Sequence, residues 1–276
     1  MNILGIGPFI GSFEQELLAF RPYARWIVEV SDFDDVFLNT HYNRVFMYSF
    51  IPEKNKIPVN MDVTKDEFQL KGYINKNYEV RDFNFLVRTF KDVISKNTGF
   101  NKKNIDVEYI NYTKRTKPVP VDKKVFEPIN IPDISIPENH KNRVIIIPHK
   151  NENIKRMNEV IKNIDNPLVL GDWNSTNFQD QNVIGVLPDY RENVYKYMIK
   201  YISEAKAVVC PVSFWTALCN LQGVPVLSWG KTVNQYKNKG IYGFENSKSV
   251  VFVVDKETSS TRILNMFDYF LGEKLQ

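Results

Sequence analysis

Ser213 is the residue whose type and position first suggest chemistry, because it separates a buried apolar run from an apolar helical pattern. It lies in the stretch "AVVCPVSFWTALCNLQGVPVLSW". Ligands of open parallel sheets bind beyond the carboxyl ends of the strands, so a strand at "AVVCPV" would carry Ser213 to that edge. The first N–H groups of a helix lack partners within the helix, and a hydroxyl beside them suits a phosphate. The alternative is a serine that only caps the helix.

The sequence predicts no metal site and no cofactor. Its two cysteines, Cys210 and Cys219, lie in apolar surroundings without a nearby histidine, which is not the spacing of a zinc site. We interpret them as reduced, buried thiols. The acidic group "SDFDD" is typical of a turn before a strand.

Apolar strands alternate with amphipathic helices along most of the chain, which is typical of parallel sheets covered by helices on both faces. In the first half, "NILGIG" predicts a strand and "FEQELLAFRPYARWIVEV" a helix interrupted at Pro22, while "DVFLNT" and "RVFMYSFI" predict two more strands. "FNFLVRTFKDVISKNTGF" predicts a helix that ends at Gly99. In the second half, helices separate the strand candidates "RVIIIPHK", "PLVLGD", "VIGVLPD", "AVVCPV", "VPVLSWG" and "SVVFVVD".

A proline-rich segment from Lys114 to His140 separates the two halves and excludes helix over most of its length. Such segments commonly mark domain boundaries. The sequence therefore predicts a Rossmann-like domain over residues 1–113, a linker over 114–142 and a second Rossmann-like domain over 143–276.

Composition and charge restrict the class of protein only loosely. The 276 residues are 43% hydrophobic and 25% charged, as in ordinary globular proteins. A net charge of +4 fits a phosphorylated small molecule as well as a polyanionic partner. The N-terminus lacks the basic region of a signal peptide, and no apolar run approaches the length of a membrane span. We therefore expect a cytoplasmic protein without a membrane span.

The arrangement around Ser213 resembles the C-terminal domain of GT-B glycosyltransferases, especially their heptosyltransferase-like branch and the related nucleotide-sugar epimerases. In those proteins a strand, a hydroxyl-containing turn, a helix and "Gly-x-Pro-Val" follow one another, as in "AVVCPVSFWTALCNLQGVPV" here. The resemblance covers about Arg143 to Asp255. It implies an α/β fold with two Rossmann-like domains whose parallel sheets face a cleft. The sequence departs from the pattern at Phe214 and Trp215, where glycines are usual.

The same resemblance implies a set of residues that bind a nucleotide sugar. The start of the helix after Ser213 would hold the diphosphate, and a UDP-, GDP- or ADP-sugar would be the donor. His149 and Lys150 follow the first strand of the domain, where the family has a polar or basic residue. The implied binding residues are Gly11, Ser12, His149, Lys150, Gly171, Asp172, Trp173, Leu187, Pro188, Ser213, Phe214, Trp215 and Thr216.

An inverting enzyme of this class needs a base in its N-terminal domain that takes the proton of the acceptor hydroxyl. The stretch "GPFIGSFEQEL" resembles a pattern in glycosyltransferase-like proteins of bacteria and phages, in which the glutamate before leucine matches Glu16. Glu16 and its neighbour Glu14 are therefore the catalytic candidates. The alternative is that both are first-turn carboxylates favoured by the helix dipole. His41 follows a predicted strand, and we expect it in a surface loop rather than in the cleft.

These features together predict a metal-independent glycosyltransferase that moves a sugar from a nucleotide-sugar donor to an acceptor hydroxyl. DNA and a glycan are both candidates for the acceptor. Two alternatives stay open. One is a phage enzyme that glycosylates modified DNA bases, and the other is a non-catalytic nucleotide-binding or structural module with the same fold.

Overall fold

Each half of the chain builds one parallel sheet. The chain divides into two units, Met1–Val125 and Phe126–Gln276, and this division falls inside the proline-rich segment. The domain bounds given above stay a prediction. The computed structural model describes residues 2–9, 13–59, 80–108, 124–148, 154–171, 183–185, 194–230, 249–253 and 259–274.

The N-terminal sheet has four parallel strands in the order β3-β2-β1-β4. Their bounds are β1 Ile3–Ile6, β2 Asp35–His41, β3 Lys56–Val59 and β4 Ile105–Glu108. Strand β1 is central and fully buried, because its apolar side chains pack on both faces of the sheet. Ile6 pairs with Leu38 of β2 and with Glu108 of β4, so β2 extends past β1 by three residues.

The first helix of this unit contains a π-helical turn. Helix α1 (Phe13–Gln15) continues into the π-helical turn Glu16–Phe20 and then into α2 (Arg21–Val30). The predicted interruption at Pro22 is wrong, since this proline lies in the first turn of α2, where a missing N–H costs little. The N–H of Arg21 donates to the carbonyl oxygen of Glu16, five residues earlier, as a π-helix requires.

Two further predictions for this unit have opposite outcomes. Helix α3 (Val80–Thr98) ends as predicted before Gly99, which has a φ of +76°. The strand predicted at "RVFMYSFI" is wrong, because this segment forms the 3-10 helix Val45–Met47 and tight turns. Its buried residues Met47, Tyr48 and Ile51 recur at spacings of one and three, which suits turns better than a pleated strand.

The C-terminal sheet has six parallel strands in the order β10-β9-β8-β5-β6-β7. The first strand of the unit, β5, therefore lies in the centre, and the chain winds first to one side and then to the other. This is the strand order of the Rossmann fold. The strands are β5 Val144–Ile146, β6 Leu168–Gly171, β7 Val183–Gly185, β8 Ala207–Pro211, β9 Val226–Gly230 and β10 Ser249–Val253.

Amphipathic helices cover this sheet, as the alternating pattern predicted. They are α4 Ile154–Lys162, α5 Val194–Ser203, α6 Phe214–Leu221 and α7 Ser260–Lys274. One core cluster joins the strand residues Ile146 and Val209 to Met157 of α4 and Phe270 of α7, all fully buried. Helix α7 therefore packs on the sheet of its own unit. None of the helices in the described ranges is long and apolar enough to cross a membrane.

Candidate functional site

In the C-terminal sheet the strand order reverses between β5 and β8, and the carboxyl ends of these two strands lie at the same edge of the sheet. Strand β5 pairs with β6 on one side and with β8 on the other. Connections on the two sides of such a point leave the sheet in opposite directions, which opens a crevice where ligands of this fold class bind. Ser213 is separated from the end of β8 by one residue, Val212, and immediately precedes α6. The predicted phosphate residue therefore lies at the edge where the fold places ligands.

The local structure at Ser213 is a capping box. The Ser213 hydroxyl accepts a hydrogen bond from the N–H of Trp215 at 3.3 Å, and the N–H of Ser213 donates to Oγ1 of Thr216 at 3.3 Å. The N–H of Thr216 donates to the carbonyl oxygen of Ser213 at 3.2 Å. The N–H groups of Ser213, Trp215 and Thr216 thus have partners within the helix start itself. The serine acts as an N-cap, and its phosphate role stays a prediction.

Thr216 also anchors the helix start to the sheet beneath it. Its Oγ1 lies 2.9 Å from Oγ of Ser228 on β9, and Sγ of Cys210 on β8 lies 3.6 Å from the Ser228 oxygen. All three side chains are fully buried. The Thr216 side chain is therefore turned toward the core, and its binding role stays a prediction.

The two cysteines have the buried, free thiols that the sequence predicted. Burial raises the pKa of Cys210 to about 11, although hydrogen bonds with Ser228 and Thr216 oppose this effect. Burial also raises the pKa of Cys219 well above its ordinary value. Both thiols therefore stay protonated and unreactive at neutral pH.

The other predicted binding residues fall into three groups. The Phe214 side chain is buried in the core, whereas Trp215 beside it is half-buried, with ring centroids 5.5 Å apart. Gly171 is the last residue of β6 and pairs with Gly185, on the same carboxyl edge as Ser213. The predicted residues outside the described ranges are Gly11, Ser12, His149, Lys150, Asp172, Trp173, Leu187 and Pro188.

Glu16, the predicted base, lies in the N-terminal unit as a fully buried carboxylate. Its Oε2 accepts a hydrogen bond from Nη1 of Arg44 at 3.0 Å, and its Oε1 accepts one from the Tyr48 hydroxyl at 2.8 Å. Oε1 also accepts a hydrogen bond from the Thr40 hydroxyl. Three donors and the absence of exposed surface favour a structural role, because a base must reach the acceptor hydroxyl. The catalytic role of Glu16 stays a prediction.

The π-helical turn explains why the side chains of Glu16 and Arg21 both bond to the segment of residues 44–48. Residues five apart point about 140° away from each other on an ordinary α-helix, whereas a π-helical turn brings them onto one face. Arg21 is also fully buried, and its Nε donates to the carbonyl oxygen of Met47 at 2.8 Å. The two side chains therefore hold the turn that follows β2 from the same side.

Tyr48 completes this buried cluster as a neutral donor. Burial raises the pKa of Tyr48 well above its ordinary value, and the negative charge of Glu16 and its hydrogen bond to that carboxylate raise it further. The cations Arg21 and Arg44 oppose this shift. Tyr48 consequently stays protonated while the protein is folded.

Glu14 and His41 are the two remaining residues of this unit for which the sequence made a prediction. Glu14, the second catalytic candidate, is half-buried. His41 ends β2 and is only 3% exposed, so the expectation of a surface loop is wrong. Its ring packs on Tyr42 with centroids 4.9 Å apart. The polar stretch "THYN" gave no sign of this burial.

Sequence reasoning missed Glu108, the last residue of β4. This side chain is exposed at the carboxyl edge of the N-terminal sheet, and its Oε2 accepts a hydrogen bond from the Tyr23 hydroxyl at 3.4 Å. Partial burial raises the pKa of Tyr23, and the charge of Glu108 and its hydrogen bond raise it further. The available signal was the alternation "NIDVE", in which Ile105 and Val107 mark a strand that ends at a carboxylate.

Within the described ranges, no three histidine, cysteine or acidic side chains are grouped so that they could hold a metal ion.

Over its whole length the chain is similar in fold to solved structures of glycosyltransferases. The glycosyl transferase family 9 protein of Veillonella parvula DSM 2008 has a TM-score of 0.59 at 9% identity, over 98% of this chain and 97% of that one. The E. coli heptosyltransferase WaaC with ADP has a TM-score of 0.54 at 8% identity, over 98% and 100% of the two chains. The E. coli ADP-heptose lps heptosyltransferase II has 0.52 at 12% identity, over 100% of both. No family model and no curated protein matches the sequence.

The chain therefore has the GT-B fold of heptosyltransferase-like glycosyltransferases, built from two Rossmann-like units. The predicted α/β class and the predicted resemblance are both confirmed at the level of fold.

Proposed function

We propose that this protein is a glycosyltransferase that moves a sugar from a nucleotide-sugar donor to an acceptor hydroxyl. The observation that carries this proposal is the position of the capped start of α6 at the reversal of strand order in a six-stranded Rossmann sheet. A helix start in this place presents a positive dipole end to an anion. The similar fold of a heptosyltransferase whose structure contains ADP makes ADP the first nucleotide to test.

In the proposed reaction the acceptor oxygen attacks the anomeric carbon while the bond from that carbon to the diphosphate breaks. The diphosphate leaves with the electron pair, and negative charge develops on its oxygens. Groups that stabilise this charge lower the barrier. The start of α6 is one such group. Basic side chains near the sheet edge are others, and we propose Lys150, Arg191 and Lys231 for this role, all of which lie outside the described residues.

We also propose that the reaction needs no metal ion. A helix start and cationic side chains supply the electrostatic stabilisation that a metal would otherwise give. Donor turnover should then be unchanged when EDTA replaces added magnesium or manganese. A loss of turnover in EDTA that manganese restores would contradict metal independence without affecting the proposed donor class.

A second candidate function is a nucleotide-binding module without catalysis. One observation favours it: Glu16, the predicted base, is buried and bonded to three side chains. Such a module would bind a nucleotide diphosphate and leave a nucleotide sugar intact.

Calorimetric titration with ADP, UDP and GDP, followed by an assay of nucleotide diphosphate release from the matching sugars, separates these functions. A free nucleotide concentration of about 100 times the Kd should raise the free energy of unfolding by about 2.7 kcal/mol. Binding with turnover supports the glycosyltransferase, and binding without turnover supports the module. Failure to bind any of the three nucleotides would contradict both.

The proposed acceptor is a hydroxyl of a glycan or of a modified DNA base. A glycan and a DNA base each provide a hydroxyl, and the weak net charge of +4 favours neither. Retention on duplex DNA that falls steeply with salt concentration would support a DNA acceptor.

A further inference from the structure

Glu108 lies where the N-terminal sheet reverses its strand order. Strand β1 leads to β2 on one side, and β4 pairs with β1 on the other side. Glu108 is the last residue of β4 and pairs with Ile6, the last residue of β1. The N–H of Gly7 donates to the carbonyl oxygen of Glu108 at 2.9 Å, which fixes the backbone at this point. Glu108 thus lies at the sheet edge where this fold class binds ligands.

The surroundings of Glu108 suit proton transfer better than those of Glu16. Glu108 is exposed, whereas Glu16 has no exposed surface. The hydroxyl of Tyr23 reaches Oε2 of Glu108 from the first turn of α2 at 3.4 Å, so one carboxylate oxygen is oriented by a weak bond. Tyr23 is itself held by stacking on Trp26, with ring centroids 6.0 Å apart. A carboxylate with one oriented oxygen can still accept a proton at the other.

We infer that Glu108 is the general base of the proposed glycosyl transfer and that Tyr23 orients it. This inference rests on the proposed function. As the acceptor oxygen bonds to the anomeric carbon, its proton passes to the Glu108 carboxylate, and the diphosphate leaves with the electron pair of the broken bond. The proton then returns to solvent, and the carboxylate is restored for the next turnover.

The test compares Glu108→Gln with wild type in two measurements. The first is calorimetric titration with ADP. The second is nucleotide diphosphate release from ADP-heptose, UDP-glucose and GDP-mannose, with water as the acceptor. Loss of the base should slow release by about 10²- to 10⁴-fold, because general-base catalysis contributes that much. The affinity for ADP should stay within about twofold, since the substitution keeps the shape of the side chain.

Asp106→Asn is the matched control, because Asp106 is exposed on the same face of β4, two residues before Glu108. It removes the same charge from the same strand and should leave release unchanged. Tyr23→Phe removes the orienting donor and should slow release only a few-fold.

The outcomes distinguish this inference from the proposed function. If wild type binds nucleotide and releases it from a donor, and Glu108→Gln does so at the wild-type rate, the assignment of Glu108 is wrong while the proposed function stands. An equal loss of rate in Asp106→Asn would also overturn the assignment, since it would reflect surface charge. If wild type turns over none of the three donors, the proposed function fails and the assignment fails with it.

Discussion

Nη1 of Arg44 lies 3.0 Å from Oε2 of Glu16, and the two side chains are only 4% and 0% exposed. This ion pair joins the π-helical turn of the first helix to the turn that follows β2. Its two partners are 28 residues apart in the sequence, so it closes a long loop in the folded chain. Because the pair is buried, removing one charge leaves the other in a poorly solvated place.

The first prediction is that Glu16→Gln destabilises the protein strongly. Breaking a buried ion pair on one side costs about 3–5 kcal/mol, and we expect a loss of this size in the free energy of unfolding. Urea denaturation followed by circular dichroism measures it. The control is Glu29→Gln, which breaks the partly exposed pair with Arg25 on α2 and should cost only about 0.5 kcal/mol. If Glu16→Gln left the free energy of unfolding nearly unchanged, the ion pair would not be what stabilises this unit. A loss of turnover without a loss of stability would support the catalytic role of Glu16.

The second prediction concerns the pH dependence of stability through Tyr48. The pKa of Tyr48 is raised well above its ordinary value in the folded protein, first by burial and then by Glu16. Above pH ~10 the unfolded chain loses the phenolic proton while the folded protein retains it. Unfolding then releases a proton, so this contribution to stability is complete below pH ~10 and is lost as pH rises further.

The test is urea denaturation of wild type and Tyr48→Phe between pH 8 and pH 11. The variant should be less stable at pH 8 by about 1.5–3 kcal/mol, because a hydrogen bond to a charged group is lost. The difference between the two proteins should shrink above pH 10. A constant difference across this range would contradict the raised pKa.

The third prediction separates capping from ligand binding at Ser213. Ser213→Ala removes the acceptor of the Trp215 N–H, and we expect a loss of about 1 kcal/mol in stability. If the hydroxyl also contacts the donor diphosphate, the affinity for ADP should fall by a further 1 kcal/mol or so, about fivefold. Thr216→Val is the control, since it removes the other half of the capping box from a fully buried side chain. An unchanged ADP affinity in Ser213→Ala would make Ser213 a cap only.

The fourth prediction tests the turn after β1. Gly7 has a φ of +111°, and a Cβ atom there would lie 2.2 Å from the carbonyl oxygen of Asn39. Gly7→Ala should therefore cost at least about 3 kcal/mol, from backbone strain and the clash together. Gly99→Ala is the control: its φ is +76° and no atom lies within 4 Å of the new Cβ, so it should cost only about 1–2 kcal/mol. Equal losses in thermal or urea unfolding would show that the close approach to Asn39 does not matter.

The elements that the sequence predicted correctly are those with local signals. Strand β8, the serine and helix α6 follow from an apolar run, a capping residue and helical periodicity within a short stretch, and Gly99 ends α3 as a glycine after a helix usually does. The segment "RVFMYSFI" shows the limit of such signals. It is as apolar as a strand, but contacts with the first helix fold it into turns.

The sequence by itself determined that this chain forms parallel sheets covered by helices, because the alternation of apolar strands and amphipathic helices is a local hydrophobic pattern. It also determined that Ser213 stands between a strand and a helix. Only the tertiary structure decided the order of the strands, and with it which strand ends lie beside a reversal of that order. Glu16 and Glu108 are both glutamates next to apolar residues, yet one is enclosed by Thr40, Arg44 and Tyr48 while the other is exposed. That difference comes from contacts between residues distant in the sequence, which no local pattern records.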